Sequence, residues 1–560
     1  MEQKPGPSKE SEPKIKKVKY DINKHKRLTE EDPFALLEES DEEDPFINES
    51  DDDPEFIPSS DSEEDIESTP SPPETPVPST SQWSDHEMPK TDIPFTGVSG
   101  ILVNVSGAEP IDYFNLLATE EFYLYLCTKA NTHAVELLSK SKGVQSRISR
   151  WQDVTIEEMK KFVGLLFHMG TVRINRINDH WKKHYLFNFS IFATFMSRNR
   201  FLLILRSLHF ENMENQPRTQ MGKILLLVNY FNNKMKVVYY PNKELSIDES
   251  MVLWRGRLKF RLYIKGKRHK FGIKLYVLCE PNGLVLKLIV YAGSADPQLS
   301  GSQHTEKVVL SLLQEKLGVG HSVYMDNFYN SVKLARDLLG NKTYVTGTLR
   351  ANRKENPAEV VSKKLKKGEL VVQFNTDGIC VIKWKDRREI LAISSEFNGQ
   401  MEEVTKRGKV LKKPNLINQY NKFMAGVDQS DQMLGYYSCE HKTLIWYKKL
   451  AIHIFQIMLL NSFHLYKKGT GNRKSYYEFR LKVIEKLLGP PPQDPIPTIK
   501  LQHLPEYCPK GDNGKAKRRR CNVCWSDGQK RKDSVYYCPQ CPGGPGLCLT
   551  PCFRLFHIAK

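Results

Sequence analysis

Residues 31–89 contain no lysine and no arginine, and in the same stretch stand 21 aspartates and glutamates. With its serines and prolines, this segment has too little apolar surface to offset chain entropy. That excludes a packed core there and predicts a disordered acidic N-terminal region over residues 1–92. The chain also lacks an apolar run able to span a bilayer. Its best stretch, 450–466, is interrupted by His453, Gln456, Asn461, Ser462 and His464 and reads as a packed helix. The first residues are polar, with no apolar h-region, so no secretory signal is expected. Cysteine is sparse until late: seven of the 11 lie between 508 and 552, leaving four for everything before. Without a secretion signal, such clustering implies metal before disulfides.

What is present is basic charge. Residues 90–560 hold 74 of the 83 Lys and Arg but only 40 of the 66 Asp and Glu, a net of +34 against +17 for the whole chain. An excess of this size favours a polyanion partner, with DNA or RNA the leading candidate and no membrane; the resemblance described below narrows this to double-stranded DNA. Two lysine clusters, Lys14 to Lys19 and Lys24 to Arg27, have the character of nuclear import signals, and the run Lys515 to Arg520 suits phosphate binding, nuclear import or both, so a nuclear location is expected.

Three acidic stretches carry the candidate chemistry. Glu244 to Asp248 reads as a short strand ending on a carboxylate, and Ser322 to Asp326 has the same form. In the third, Asp428 and Asp431 are three residues apart and share a helix face. Each Asp taken singly suits a turn or helix cap; together they suggest a site. Converging carboxylates stay ionised only with a cation between them, and hard oxygen donors suit Mg²⁺ or Mn²⁺. Two such ions stabilise the attacking and leaving oxygens of a phosphoryl displacement.

Around these acids, 93–243 is mainly helical, with a capping box at Thr155 and Glu158. Residues 244–350 give three strands, a helix, a strand, a helix and a strand, the order of an α/β RNase H-like fold, in which the first and fourth strands are neighbours. Residues 351–417 read as a β-rich insertion, 418–440 as the return to the catalytic domain, mostly as helix, 441–495 as further helix, 496–517 as a polar linker and 518–560 as a cysteine-rich domain. The stretch 254–262 alternates with period two. As a strand, it would turn Trp254, Leu258, Phe260 and Leu262 inward and present Arg255, Arg257, Lys259 and Arg261 to phosphates, with Lys265, Lys267, Arg268 and Lys270 extending the run. Finally, Cys521, Cys524, Cys538, Cys541, Cys548, Cys552 and His557 make seven ligands for one or two Zn²⁺ ions; Cys508, His503 or water would complete the second site.

The segments around Asp248, Asp326, Asp428 and Asp431 resemble the acidic motifs of piggyBac-type DDD transposases, and the resemblance runs from about residue 95 to the C-terminus. It implies that Asp248, Asp326 and Asp428 are catalytic and hold Mg²⁺, with Asp431 in support. It implies that Arg350, Asn352, Arg353 and Trp446, in segments similar to the family's, bind DNA. It also implies that 93–243 and 441–495 form one split helical domain for dimerisation and DNA binding, that the cysteine-rich domain is a two-zinc cross-brace, and that DNA is excised and inserted at TTAA sites through hairpinned ends. Two other readings fit the same residues: a host DNA-binding protein that keeps the fold without transposition, and a metal-dependent nuclease.

Overall fold

The structure, a computed structural model, describes residues 83–490 and 503–558 except 89, 91, 141–145, 188, 212–218, 264–270, 294–295, 297–298, 407–408 and 527–530. The import-type lysine clusters of the N-terminus and residues 265–270 lie outside the described residues. The chain divides into two units, one ending at Gly489 and one beginning at Pro490.

The first unit begins with helices: after β1 (Gly100–Ile101) come α1 (Pro110–Asn115), α2 (Glu120–Lys140), α3 (Ile156–Thr171), α4 (Ser190–Phe195), α5 (Arg198–Ser207) and α6 (Gly222–Val238), then β2 (Tyr239–Tyr240), which pairs with β1. Thr155 caps α3 by accepting from the Glu158 amide, as its spacing predicts. Glu158 takes another partner, a two-pronged ion pair with Arg200 at 2.7 and 2.6 Å.

The sheet follows: β3 (Glu244–Leu253), β4 (Leu262–Tyr263), β5 (Phe271–Cys279), β6 (Val285–Val290), α7 (His304–Leu313), β7 (Ser322–Met325), α8 (Val332–Gly340) and β8 (Tyr344–Thr348). β3 pairs antiparallel with β5 and parallel with β7, which in turn is parallel to β8. The first and fourth long strands are thus neighbours, as in an RNase H-like sheet.

Beyond α9 (Ala358–Ser362), the strands β9 (Leu370–Phe374), β10 (Cys380–Lys385) and β11 (Glu389–Ser394) form the expected β-rich insertion. They prolong the main sheet, because β11 pairs with β8 from Ala392↔Thr348 to Ser394↔Thr346. A separate ribbon, β12 (Met401–Lys406) with β13 (Lys409–Pro414), leads into α10 (Asn415–Phe423) and α11 (Gly426–Tyr436).

Helix α12 (Trp446–Thr470) is buried on all sides from Trp446 to Leu450 and from there to Tyr466, with only Lys449 less so, and α13 (Tyr476–Leu488) closes the helical part. No helix among the described residues is long and apolar enough to cross a membrane. The polar residues that interrupt α12 bond inside the core. Asn461 accepts from the Val285 amide at 3.0 Å and donates to its carbonyl at 2.7 Å. Asn232 on α6 does the same for Leu288, with both bonds at 2.9 Å. The two amides thereby satisfy backbone groups of β6 that no strand reaches.

The expectation of disorder over 1–92 fails at its end. Residues 83–88, 90 and 92–96 run as a strap along the sheet. Ser84 exchanges two 2.8 Å backbone bonds with Phe374 of β9, the Ile93 amide donates to the Tyr344 hydroxyl at 2.6 Å, and Phe95 packs on His321. Trp83 also packs against the core. These apolar contacts offset the entropy that the acidic composition alone would leave uncompensated.

In the second unit, β14 (Glu506–Tyr507), β15 (Arg519–Arg520), α14 (Asn522–Ser526), β16 (Asp533–Ser534), β17 (Tyr536–Tyr537) and α15 (Cys552–Ile558) form two short ribbons, β14 with β17 and β15 with β16. Residues 503–517, expected within the linker, are therefore part of this module.

Candidate active site and metal centres

Asp248 does not end its strand. β3 continues five residues to Leu253 because β5 goes on pairing with it through Leu253↔Gly272. What ends near Asp248 is the parallel ladder with β7, whose last pair is Ile247↔Met325. The next residues in register are Asp248 and Asp326, side by side although 78 positions apart in sequence. Asp248 is buried, and its Oδ1 accepts from the Glu249 amide at 2.8 Å.

Asp326 sits in the turn that leaves β7. Its Oδ1 accepts from the Phe328 amide at 2.9 Å. Beneath it, the Asn330 amide donates to the Met325 carbonyl at 2.9 Å, the Asp326 carbonyl at 3.1 Å and the Thr348 carbonyl at 2.9 Å, tying the ends of β7 and β8 together. Gly347 faces this knot. A Cβ there would stand 1.9 Å from the Met325 oxygen, so a side chain is excluded.

The third acid comes from α11. Alternation along β3 places Ser250 on the same face as Asp248. The Ser250 hydroxyl donates to Asp431 Oδ1 at 2.6 Å, which sets α11 over that face. Asp428, exposed in the first turn of α11, lies one helical turn before Asp431. The close approach needs Gly426, where a Cβ would meet Ser246 Oγ at 2.3 Å. One phenol, unpredicted from sequence, reports the convergence. Burial pushes the Tyr420 hydroxyl up to about 12, and Asp326, Asp248 and Asp428 all add to that rise. The donor set is all carboxylate, which fits a hard divalent cation. Among the described residues these oxygens do not converge as closely as the sulfur and nitrogen donors below.

The expected strand over 254–262 is absent. Trp254 to Arg261 form a loop between β3 and β4, closed by Arg261, whose guanidinium donates to the Arg255 carbonyl at 2.9 Å. The burial alternation survives: Trp254, Leu258, Phe260 and Leu262 are buried, and Arg255, Arg257 and Lys259 are exposed. Arg261 is turned to holding the loop. Arg350 and Arg353 grip the turn after Asp326. Arg350 Nε donates to Asn327 Oδ1 at 3.3 Å, and Arg353 donates to the Phe328 carbonyl, with burial pushing its pKa down. Asn352 is exposed beside them. Trp446 corrects the expectation of DNA contact. It is 4% exposed and packs edge-to-face on Phe260, with ring centroids 5.2 Å apart. The burial of an indole at the start of a core helix accounts for it.

In the second unit the donors fall into two complete sets of four: Cys521, Cys524, Cys548 and Cys552, and His503, Cys538, Cys541 and His557, with the ligand atoms of each set within 4.8 Å of one another. The eighth ligand, open among three candidates from the sequence, is His503; its Nδ1 lies 3.3 Å from both Cys538 and Cys541 sulfurs. Cys508 is buried outside both sets. The sets interleave along the chain, so each ion would tie together segments distant in sequence. His557 Nδ1 donates to the Phe553 carbonyl at 2.7 Å, leaving Nε2 for a metal. Zinc fits: thiolates and imidazoles in fours are its usual donors. Beside the sets, Arg520 lies 4.2 Å from the ring of the exposed Trp525.

A family model described as Transposase IS4 matches residues 109–463, and one described as a DDE_Tnp_1-like zinc finger matches 502–558. PiggyBac transposable element-derived protein 3 of Homo sapiens is 26% identical over 421 residues, covering 70% of this chain and 68% of its own. PiggyBac transposable element-derived protein 2 of Homo sapiens is 23% identical over 377 residues, covering 64% of this chain and 61% of its own. Among solved structures, the piggyBac transposase synaptic complex with hairpin DNA, determined by cryo-EM, superposes with a TM-score of 0.60 at 23% identity, over 79% of this chain and 96% of that one. The transposase match spans most of the chain and the fold is that of the piggyBac transposase: this chain belongs to the Transposase IS4 family.

Proposed function

We propose that the chain is a metal-dependent DNA strand-cleaving and strand-joining enzyme that moves a DNA segment by cut and paste, with TTAA as its target. The observation that carries this is the side-by-side register of Asp248 and Asp326 beneath the α11 acids. Asp248, Asp326 and Asp428 would hold Mg²⁺ or Mn²⁺, two ions, and Asp431 would steady α11 through Ser250. Bound there, the metal supplies Lewis acidity toward phosphate oxygens and a water of lowered pKa. The protein's part is to aim the acids, and Arg350 and Arg353 set the turn that carries Asp326. Exposed Arg255, Arg257 and Lys259 would take backbone phosphates, a sequence-independent attraction. Zinc would fill both four-ligand sets and fold the second unit. A homodimer built on the helical part, and a nuclear location, complete the reading; the lysine-rich runs support the latter.

The test is cleavage of DNA carrying the sequences that flank this coding region, with Mg²⁺, by the full chain and by Asp248→Asn, Asp326→Asn and Asp428→Asn. Each amide should abolish cleavage and leave DNA binding near normal; Asp431→Asn should be milder. An active Asp428→Asn with a dead Asp431→Asn would reverse the assignment of the third acid. A second reading is favoured by the relatives' description as transposable element-derived proteins: a DNA-binding host protein that retains the fold. DNA binding without cleavage by the unmodified chain would select it.

A further inference from the structure

Between α6, β6 and the end of α7 lies a small pocket that takes no part in the acidic site. Leu278 and Leu312 contribute to its apolar floor, and Lys236, Lys287, Lys316 and Glu315 stand around it. Two of the lysines are engaged. Lys236 Nζ is 2.6 Å from Glu315, and Lys287 Nζ donates to the Ser311 carbonyl at 2.6 Å. Lys316 is different. It is 9% exposed, and among the described residues its ammonium has no carboxylate within 4 Å and no hydrogen-bond acceptor, Glu315 acting on it only from farther off. It lies 4.0 Å from the ring centroid of Tyr240. Burial pushes its pKa down to about 8; Glu315 opposes the fall, and the charges of Lys236 and Lys287 add to it.

A buried cation whose neighbouring carboxylate, Glu315, is paired with another lysine is costly, and a cation–π contact returns only part of that cost. The remaining groups nearby do not supply the missing negative charge. The Tyr239 hydroxyl donates to Glu280 at 2.8 Å, and Glu280 is paired with Lys468 at 2.9 Å. Glu315 is already taken by Lys236. We propose that this pocket binds a phosphate-type oxyanion, held by the Lys316 ammonium with Lys287 and Lys236 at its rim. The chemistry is the same whether the oxyanion is a small free phosphate or a phosphate of a DNA backbone, since lysine binds phosphate as a point charge. The proposal does not depend on the catalytic reading.

The test uses the full zinc-loaded chain near neutral pH. Inorganic phosphate is added at constant ionic strength and Tm is followed for the wild type, Lys316→Met and Lys316→Arg. Methionine keeps an unbranched apolar stem and removes the charge; arginine keeps the charge and guards against reading a folding defect as lost binding. In parallel, the salt dependence of binding to random-sequence duplex DNA is measured for all three. A phosphate-dependent rise in Tm that is lost in Lys316→Met and kept in Lys316→Arg identifies a free-anion site. No rise, but a log–log salt slope smaller by about 0.9 in Lys316→Met alone, identifies a DNA phosphate. A phosphate response that survives in Lys316→Met, or three chains alike in both measurements, overturns the proposal.

Discussion

Asn330→Ala tests whether the acidic site depends on the knot beneath Asp326. The amide is 2% exposed and serves three carbonyls at 2.9, 3.1 and 2.9 Å with two protons. Alanine removes about two hydrogen bonds' worth, near 1 kcal/mol net each, and leaves buried carbonyls short of a donor. The expected loss of stability is therefore about 2–3 kcal/mol. Two of those carbonyls belong to Met325 and Asp326, so the turn carrying the second acid should loosen as well. A displacement on the order of 1 Å at a reacting group costs roughly 10²-fold in rate. The assay pairs urea unfolding of the full chain with Mg²⁺-dependent DNA cleavage, including the Mg²⁺ concentration for half-maximal rate, which should rise. A loss below about 0.5 kcal/mol would refute the hydrogen-bond reasoning. The full stability loss with cleavage and Mg²⁺ requirement unchanged would show that the amide holds the sheet alone and does not aim Asp326.

His503→Ala should lower the zinc content of the full chain from two ions to one, whereas Cys508→Ala should keep both; metal analysis after dialysis distinguishes them. Trp446→Ala should cost about 3–5 kcal/mol in unfolding as a core truncation, with any loss of DNA affinity recovered at temperatures where the variant is folded; a pure affinity loss at full stability would restore the DNA-contact reading. Charge reversal of Arg255 and Arg257 should weaken binding to all DNA sequences alike and lower the log–log salt slope by about 0.9 per lost contact; a change confined to one sequence would indicate base readout.

The acids and strand order of the catalytic part were legible because a buried strand followed by a carboxylate leaves both a hydrophobic pattern and a charge at its edge. The pairing of Asp248 with Asp326 followed from fold order, but the length of β3 did not, since β5 supports it past the acid. Periodicity in 254–262 reported burial correctly and backbone wrongly: alternate residues can be buried in a loop that folds on its own tryptophan. Trp446 shows the limit of motif resemblance, as a recurring aromatic serves a core as readily as a ligand. His503 was one of three candidates that the sequence could not rank, because it stands 35 residues before Cys538, within an apparent linker. The strap along the sheet was hidden by acidic surroundings, though Trp83, Ile93 and Phe95 were its signal. Asn232, Asn330 and Asn461 could not be found at all, because an amide that completes a distant backbone leaves no periodic trace.

The bonds made by Asn232, Asn461 and Ser84 have a consequence for how this molecule can associate. A sheet normally offers its outermost backbone as a template on which another chain can crystallise a strand. Here β6 is stoppered by side-chain amides from two helices, and β9 is occupied by the protein's own strap. Addition of a strand is thereby hindered at both places, at β9 through the bridge to Phe374. A chain begun after residue 96 would reopen one of these places, trading a closed fold for a surface prone to stick to itself.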